Sequence, residues 1–336
     1  MKKLSLFGKI LYFLNSLFAT LLLLSYLLPY ISPTKIPLSA ILSLSVPILI
    51  IINLAFVIYW LFKLKKQFIL SGLILCIGWF FTNPLYKLTE SKSSLNDDLK
   101  VMSYNVRTFN HGNWLDEKNI DKKIISFIKE NDPDVLVIQE NIALPEYVLD
   151  FPHKYIEKKF AKVPFGMAIY SKLPIINHGS LKLKNTSNDI IFADIIRKKD
   201  TIRVYNLHLQ SLSISPNKEN FGQENSEKLI KTLKTRFKKQ AEQTEIFLAH
   251  EKTWKGKKIV GGDFNNTSYS WVYSQISENK KDAFIEAGKG FGKTFNYWFP
   301  MRIDFILTDN NAIVNKFSSY SEKNSDHFPI LARINW

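Results

Sequence analysis

Apolar and polar positions divide the chain into two parts with different patterns. Up to residue 87, three long segments contain no charged residue and few polar ones. A helix of about 20 apolar residues can cross the hydrocarbon core of a bilayer. Pro47 lies inside the second segment, where it should kink the helix rather than end it. The pattern therefore predicts an N-terminal bundle of three transmembrane helices, at about residues 10–31, 38–62 and 67–86.

Lysines around these segments predict the orientation of the chain. They are Lys2, Lys3 and Lys9 before the first segment and Lys63, Lys65 and Lys66 between the second and the third. The positive-inside rule puts the N-terminus in the cytoplasm, so three spans place the rest of the chain on the outer, periplasmic side of the cell membrane. Two spans would leave it cytoplasmic. A cleaved signal peptide is a weaker alternative, because the apolar run is long and no clean small-x-small site follows it.

Beyond a short polar linker at residues 88–98, the apolar positions form short strand-like runs and two helical patterns. Residues 120–130 have helical spacing before an Asn-Asp-Pro sequence ends the pattern, and residues 226–252 form a longer amphipathic helix. Strands are predicted at residues 99–104, 134–139, 165–171, 190–196, 201–207, 302–307 and 330–334. These patterns divide the chain into a membrane anchor (1–87), the linker and a soluble domain (99–336).

The stretch Lys258–Asn266 carries the first candidate chemistry. Ile259 and Val260 form a buried strand, two glycines follow, and Asp263 and Asn265 come after them. Glycines suit a turn where side chains would prevent close approach. Alternate residues of an extended chain point to the same side, so the carboxylate and the amide should face one spot. A simple turn that closes the strand would have the same composition.

Similar polar residues stand where other predicted strands end. They are Asn105, Glu140 and His208, together with Asp304, Asp326 and His327 near the C-terminus. Asp304 lies among apolar neighbours in its strand and needs a partner there, because an unpaired buried carboxylate is costly. His327 can supply that partner.

Charge and cysteine content exclude some classes of function. The formal charge is +15, but residues 1–87 hold eight lysines and no acidic residue, so the remaining 249 residues are only mildly basic. Basicity is therefore no argument for nucleic-acid binding. Cys76 is the single cysteine, which excludes a disulfide framework or a cysteine-based metal site.

Oxygen ligands without thiols favour Mg²⁺ or Mn²⁺ over zinc. Such a cation beside imidazoles and a carboxylate base suits hydrolysis of a phosphate ester. The chain has no GxxxxGK[ST], GxSxG or HExxH sequence, so it is not a P-loop NTPase and lacks two common hydrolase signatures.

Six short segments, in this order, resemble the endonuclease/exonuclease/phosphatase superfamily, which has the DNase I-like fold. They are Ser103–Val106, Ile138–Glu140, Asn206–Leu209, Gly262–Asn265, Arg302–Ile306 and Ser325–Pro329. The resemblance covers about residues 99–336. It implies an α/β fold: a four-layer sandwich of two mixed β-sheets flanked by helices, here preceded by the three transmembrane helices.

The resemblance also implies a role for each matching residue. Glu140 would be the main ligand of the divalent metal, with Asn105 and Asp326 helping to hold it. Asp263 would orient or deprotonate the attacking water, and Asn265 would position that water and the phosphate. His208 and His327 would stabilise the pentacovalent phosphorus, with Asp304 fixing the orientation and charge of His327.

The implied activity is divalent-metal-dependent hydrolysis of phosphodiester bonds, as in a nuclease. Because His208-Leu-Gln210 is similar to a sequence of bacterial sphingomyelinases, a phospholipid head group is the alternative substrate. An inositol phosphate would be a further one. A non-enzymatic adaptor is less favoured because every key position is filled. The expected partners are a phosphate ester, in nucleic acid or a lipid head group, and the bilayer; no protein partner can be inferred.

Overall fold

A computed structural model describes residues 4–90, 93, 95–212 and 223–336 of the chain, with no side-chain detail for residues 223–225. Lys2, Lys3 and part of the predicted linker lie outside the described residues. The chain divides into two compact units. The first, the N-terminal unit, comprises Met1–Leu85, Asn220–Ala241 and Ser268–Ser274. The second, the catalytic unit, comprises Tyr86–Glu219, Glu242–Thr267 and Gln275–Trp336.

Four apolar helices begin the N-terminal unit: α1 (Leu6–Ser25), α2 (Pro37–Ser43), α3 (Val46–Phe62) and α4 (Phe68–Phe81). Among the described residues, one helix, Leu6–Tyr30 including its final turns, is long and apolar enough by itself to cross a membrane. Helices α2 and α3 pass the same test only as a pair, bent by 47°.

The prediction of three transmembrane helices is therefore wrong in its count. Pro47 occupies the first turn of α3, where its missing N–H is tolerated, so the second segment is two helices rather than one kinked helix. Helix α4 has 14 residues and spans only about 21 Å, which is less than the ~30 Å hydrocarbon core. It ends at Phe81 because Thr82 is already extended.

Helices α1 to α4 bury polar side chains and expose apolar ones, which is the reverse of a soluble helical bundle. Asn15, Asn53 and Ser71 have no solvent exposure and form a chain of hydrogen bonds. The Asn15 amide donates to Ser71 Oγ at 2.5 Å, and Ser71 Oγ donates to Asn53 Oδ1 at 2.7 Å. Large apolar side chains instead cover the outside of the helices, among them Phe7, Phe13, Leu54, Leu61, Leu73 and Trp79.

Two six-stranded mixed sheets form the catalytic unit. The first has the strand order β11-β12-β1-β2-β4-β3 and the second β5-β6-β7-β8-β10-β9. In each sheet one central pair is parallel, β1 with β2 and β7 with β8. The strands are β1 (Leu99–Asn105), β2 (Val135–Ile142), β3 (His153–Lys158), β4 (Phe165–Ser171), β5 (Ile175–Ser180), β6 (Asp189–Arg197), β7 (Asp200–His208), β8 (Lys257–Asp263), β9 (Lys280–Asp282), β10 (Asp304–Asp309), β11 (Ile313–Ser319) and β12 (Ile330–Asn335).

Four further helices complete the chain: α5 (Ile120–Asn131), α6 (Gln223–Glu251), α7 (Trp271–Ser277) and α8 (Ala283–Ala287). Residues from both sheets, such as Val137 and Val204, share one buried core, so the sheets pack face to face. Helix α5 packs through Ile124 and Ile128 on the outer face of the first sheet. The predicted sandwich of two mixed sheets with flanking helices is confirmed.

The predicted strands and both predicted helices are present, with ends displaced by a few residues. Strands β3, β5, β9 and β11 were not predicted. Strand β3 has His, Lys or Glu at four of its six positions, and the last four residues of β5 are Asn, His, Gly and Ser. Both strands are half-buried or exposed throughout, so they lack the apolar alternation that identifies a strand.

Candidate active site

The eight predicted site residues converge at one edge of the paired sheets. Strands β1, β7 and β8 end at Asn105, His208 and Asp263, and β10 begins at Asp304, the register partner of Asp263. Parallel neighbours bring their carboxyl ends to the same edge, and an antiparallel neighbour brings its first residue there. Side-chain contacts link Glu140, Asn265 and His327 to this group. Ser325 connects Asp326 to it, since its Oγ donates to Asn105 O and lies 3.3 Å from Asp326 Oδ1.

Asp263 lies at the centre of the cluster with 1% exposure. Its Oδ2 accepts hydrogen bonds from Asn105 Nδ2 and from Asn265 Nδ2, both at 3.1 Å, and its Oδ1 accepts from the Asn265 backbone N–H at 2.7 Å. Burial raises the pKa of the Asp263 carboxyl, and Asp304 raises it further, against the opposing charge of His327. The result is a carboxylate with more than usual affinity for a proton.

Asn265 contacts Asp263, but through a backbone conformation that differs from the extended one predicted. The chain is not extended here, because Asn265 has φ +51°. Its own side chain and backbone fold back onto Asp263, and its amide also donates to Leu209 O at 2.9 Å. A short turn after the strand, rather than strand alternation, therefore brings the two side chains together.

Asp304 and His327 form a buried pair. The two carboxylate oxygens of Asp304 lie 3.0 and 3.2 Å from His327 Nδ1, and His327 Nε2 lies 3.6 Å from Asp263 Oδ2. Burial alone would lower the pKa of His327, but Asp304, Asp263 and Asp326 together raise it well above its usual value. His327 is therefore a protonated imidazole that faces Asp263.

His208 is the second imidazole, and it is neutral. Burial, assisted by the charge of His327, lowers the pKa of His208 to about 3. Neither ring nitrogen has a hydrogen-bond partner among the described residues, and Nε2 stands 3.7 Å from Asp263 Oδ2 and 3.8 Å from Glu140 Oε1. A buried polar ring without partners is costly, which favours a ligand that would contact it.

Glu140 does not end its strand, as the sequence predicted, but lies inside β2. The register of β2 against β4 shifts between Ile138 and Asn141, and Glu140 has φ +51°. Such a bulge turns one side chain out of the normal alternation, which here directs Glu140 to the site. Burial raises the pKa of this carboxyl, and the nearby Asp326 raises it further.

The glycines before Asp263 allow close approach rather than a turn. Both lie within β8. A Cβ on Gly262, which has φ +138°, would lie 2.0 Å from Leu207 O of the neighbouring strand. A Cβ on Gly261 would lie 3.0 Å from Val137 Cγ2 of the other sheet. The two glycines therefore let the strand that carries Asp263 fit tightly between its neighbours.

The structure places two further residues at the site, Arg107 and Ser325, to which the sequence analysis gave no role. Arg107 Nη1 lies 2.8 Å from Asp326 Oδ2, and Ser325 Oγ donates to Asn105 O at 2.8 Å while lying 3.3 Å from Asp326 Oδ1. Ser325 opens the segment Ser325–Pro329 directly before Asp326, whereas Arg107 directly follows the segment Ser103–Val106 and stands two residues after Asn105. Their position next to predicted ligands was the available signal.

The donor set fits a hard divalent cation. Asp263, Asp304 and His327 each present one atom within 4.8 Å of the others. His327 in its protonated form has no lone pair for a cation, so the two carboxylates are the usable donors of this group. Glu140 adds a carboxylate to this set. Burial and the charge of Asp326 disfavour its ionised form, so a bound cation would stabilise that form. Asn105, in contrast, points its amide nitrogen at Asp263 and, at 3.5 Å, at Glu140, so it orients these carboxylates in this structure.

Residues 102–327 match the endonuclease/exonuclease/phosphatase family over two thirds of the chain. The chain belongs to this family. As a member it is a phosphoric ester hydrolase, as the site residues imply. Residues 8–85 match a second family, described as a domain of unknown function (DUF8431). No curated protein matches the chain.

Solved structures share the fold of the catalytic unit. An endonuclease/exonuclease/phosphatase from Bacteroides vulgatus has a TM-score of 0.55 and 18% identity, covering 71% of this chain and 99% of its own. D. rerio TDP2 complexed with single-strand DNA product has a TM-score of 0.54 and 15% identity, covering 72% and 100%. A mannosyl-6-phosphatase from Bacteroides thetaiotaomicron has a TM-score of 0.50 and 17% identity, covering 71% and 100%. These identities support the common fold alone.

Proposed function

We propose that the protein is a membrane-anchored, divalent-metal-dependent phosphodiesterase with nuclease-like activity. The observation that carries this proposal is the buried contact of Asp263 with two amides and two imidazoles at one sheet edge. That set contains a base and donors for a phosphate, and both are in place before any substrate arrives. The D. rerio TDP2 structure, which holds a single-strand DNA product, supports nucleic acid as the substrate class.

In the proposed reaction Asp263 accepts the proton of the attacking water, a task for which its raised pKa is suited. Asn265 and Asn105 hold the carboxylate in position through their amide hydrogen bonds. His327, kept protonated by Asp304, donates to a phosphate oxygen as negative charge develops there. His208 is neutral and donates a hydrogen bond without adding charge.

Glu140, with help from Asp326, would hold a Mg²⁺ or Mn²⁺ ion, and the Asn105 amide would orient Glu140 beside it. When bound, that ion supplies Lewis-acid stabilisation of charge on the phosphate and on the leaving group. Because the ligands are oxygen atoms, these hard cations suit the site better than zinc does.

We also propose that helices α1 to α4 of the N-terminal unit lie in a lipid bilayer. The support is their inverted burial, in which Asn15, Asn53 and Ser71 are enclosed while large apolar side chains face outward. An apolar outer surface is unfavourable in water and favourable in the hydrocarbon core of a bilayer. The number of spans then decides the topology: α1 as the one span would place the catalytic unit outside, and a second span by the bent pair of α2 and α3 would place it in the cytoplasm.

The test is a substrate panel on the full-length protein in detergent, with Mg²⁺, with Mn²⁺ and with excess chelator. We expect metal-dependent cleavage of a single-stranded oligonucleotide, abolished by chelator and restored by either ion. The other arms are plasmid DNA, an inositol phosphate, a sugar phosphate and sphingomyelin vesicles. Release of phosphocholine or of inorganic phosphate, without cleavage of DNA, would reject the nuclease-like activity. Undiminished cleavage in chelator would reject the metal dependence.

A further inference from the structure

Arg107 stands at the mouth of the site, outside the groups that act in the proposed reaction. Its side chain is 40% exposed, whereas those of Asp263, His208 and His327 are 1%, 4% and 7% exposed. Asp326, the ion-pair partner of Arg107, has an intermediate exposure of 27%. Exposure therefore increases from the buried residues Asp263, His208 and His327 to the pair of Arg107 and Asp326. This pair forms the rim of the site, and Arg107 is its cation.

Both the side chain and the main chain of Arg107 are held in place. The guanidinium lies over the ring of Trp114 at 4.0 Å from its centroid, and Trp114 Nε1 donates to Arg107 O at 3.3 Å. The Arg107 backbone N–H donates to Asn105 Oδ1 at 3.1 Å. A long side chain fixed in this way loses less freedom when it binds a ligand, so it is suited to a specific contact.

The backbone at Arg107 is also unusual. Arg107, Thr108, Phe109 and Asn110 have φ values of +41°, +56°, +52° and +61°, in the left-handed region that threonine and phenylalanine rarely adopt. Strained backbone of this kind persists where surrounding contacts hold it, and it is concentrated at functional sites. Here it turns the chain immediately after β1, so that residue 107 stays beside Asn105 and Asp326.

We propose that Arg107 binds a phosphate group of the substrate next to the one that is hydrolysed. A guanidinium has five N–H donors in a planar fork that matches phosphate oxygens, and the structure pairs its Nη1 with Asp326. The inner groups already face the scissile phosphate, so a cation at the rim contacts the flanking part of the substrate. This inference rests on the proposed phosphodiesterase function and names its substrate as a chain of phosphodiesters rather than an isolated one.

The test compares two substrates on the full-length protein in detergent with Mg²⁺. One is a single-stranded oligonucleotide with many phosphates, and the other is bis(4-nitrophenyl) phosphate, which has only the scissile one. Arg107→Gln should reduce kcat/KM on the oligonucleotide by about tenfold or more, mainly through KM, and change it less than about twofold on the small diester. The salt dependence of log KM on the oligonucleotide should become shallower by about 0.7.

Two further variants control the comparison. Arg107→Lys keeps the charge but not the fork, so it should keep the salt dependence and lose part of the affinity; it also serves if the Gln variant does not fold. Arg197→Gln removes a guanidinium that pairs with Asp97 at the opposite end of β6. It should leave kcat/KM unchanged on both substrates.

The outcomes separate this inference from the proposed function. If Arg107→Gln loses kcat/KM equally on both substrates, or loses none on the oligonucleotide, the role of Arg107 is overturned. The proposed nuclease-like activity would not be affected by that result. Wild-type protein that cleaves the small diester but not the oligonucleotide would overturn the nuclease-like activity, and this inference with it.

Discussion

Single residues of one type have different surroundings at this site, and the surroundings give them different roles. Asp304 faces the ring of His327 at 3.0 Å, whereas Asp263 is bounded by the amides of Asn105 and Asn265. Glu140 has only the longer approach of the Asn105 amide, at 3.5 Å, and burial together with Asp326 raises its pKa. In the proposed reaction one carboxylate therefore orients an imidazole, one is the base, and one is available to a cation.

Replacing Asp263 tests its role as the base. Asp263→Asn keeps the shape of the side chain but cannot accept the proton of water, so kcat should fall by about 10²–10⁴-fold. The measurement is steady-state hydrolysis with saturating Mg²⁺, together with a thermal melt to show that the variant folds. Asp200→Asn, at an exposed ion pair with Lys257, is the matched control and should keep full activity. A fall of less than tenfold for Asp263→Asn would contradict the assignment.

The pair of Asp304 and His327 gives a prediction about pH. In Asp304→Asn one of the charges that raise the pKa of His327 is lost, so burial lowers that pKa and His327 loses its proton at a lower pH. The alkaline side of the kcat/KM profile should therefore move to lower pH, with part of the activity recovered on acidification. A profile that falls in height but keeps its shape would show that Asp304 does not set the protonation of His327.

At the scale of elements, the two strands that carry the main carboxylates both depart from regular geometry. A bulge in β2 turns Glu140 inward, and paired glycines in β8 allow close contact with β7 and with the first sheet. Irregular strands beside a site are common because they direct a side chain where regular alternation would not. Apart from Glu140 in β2 and Lys257 and Lys258 in β8, every residue of these two strands is buried.

Gly262→Ala tests the close approach of β8 to β7. The new Cβ would meet Leu207 O at 2.0 Å, at a φ of +138° that alanine rarely adopts, so the backbone must move. We expect a loss of about 2 kcal/mol or more in the free energy of unfolding, seen as a fall of roughly 5 °C or more in Tm. Gly112→Ala, which has open space around its Cβ, should change Tm little. Equal Tm values for both variants would contradict the steric argument.

At the scale of the whole molecule, the chain combines two kinds of surface. The catalytic unit buries its apolar residues between and outside two sheets, as a soluble domain does. The N-terminal unit exposes apolar residues and encloses its asparagines. A buried asparagine–serine chain inside apolar helices favours one register between them, because each polar group is costly away from its partner.

Membrane attachment predicts how the protein behaves during fractionation. The full-length chain should stay in the membrane pellet after high salt and after alkaline carbonate, and detergent should release it, because hydrophobic burial is insensitive to both treatments. The intact mass of the released protein checks the signal-peptide alternative. Release by carbonate, or a mature chain that lacks its first 30 or so residues, would contradict an anchor. A reporter fused after Trp336 would then show the side on which the catalytic unit lies.

The sequence by itself determined much of the fold and of the site. Apolar periodicity identified the central strands and helices α5 and α6, because buried elements must present one apolar face. The polar residues at strand ends, from Asn105 to His327, were identified by type and position, and their expected roles came from the resemblance of six ordered segments to the superfamily. The two parts of the chain were also separable by charge alone.

Other features were decided only by the tertiary structure. The bulge at Glu140, the left-handed turn at Arg107 and the break between α2 and α3 depend on which groups surround the backbone, and local sequence does not specify those groups. Strands β3 and β5 exist because their neighbours provide hydrogen-bonding edges, not because their own pattern is apolar. Protonation is the clearest case, because His208 and His327 are the same residue type. Three carboxylates raise the pKa of His327, whereas burial and the charge of His327 lower the pKa of His208.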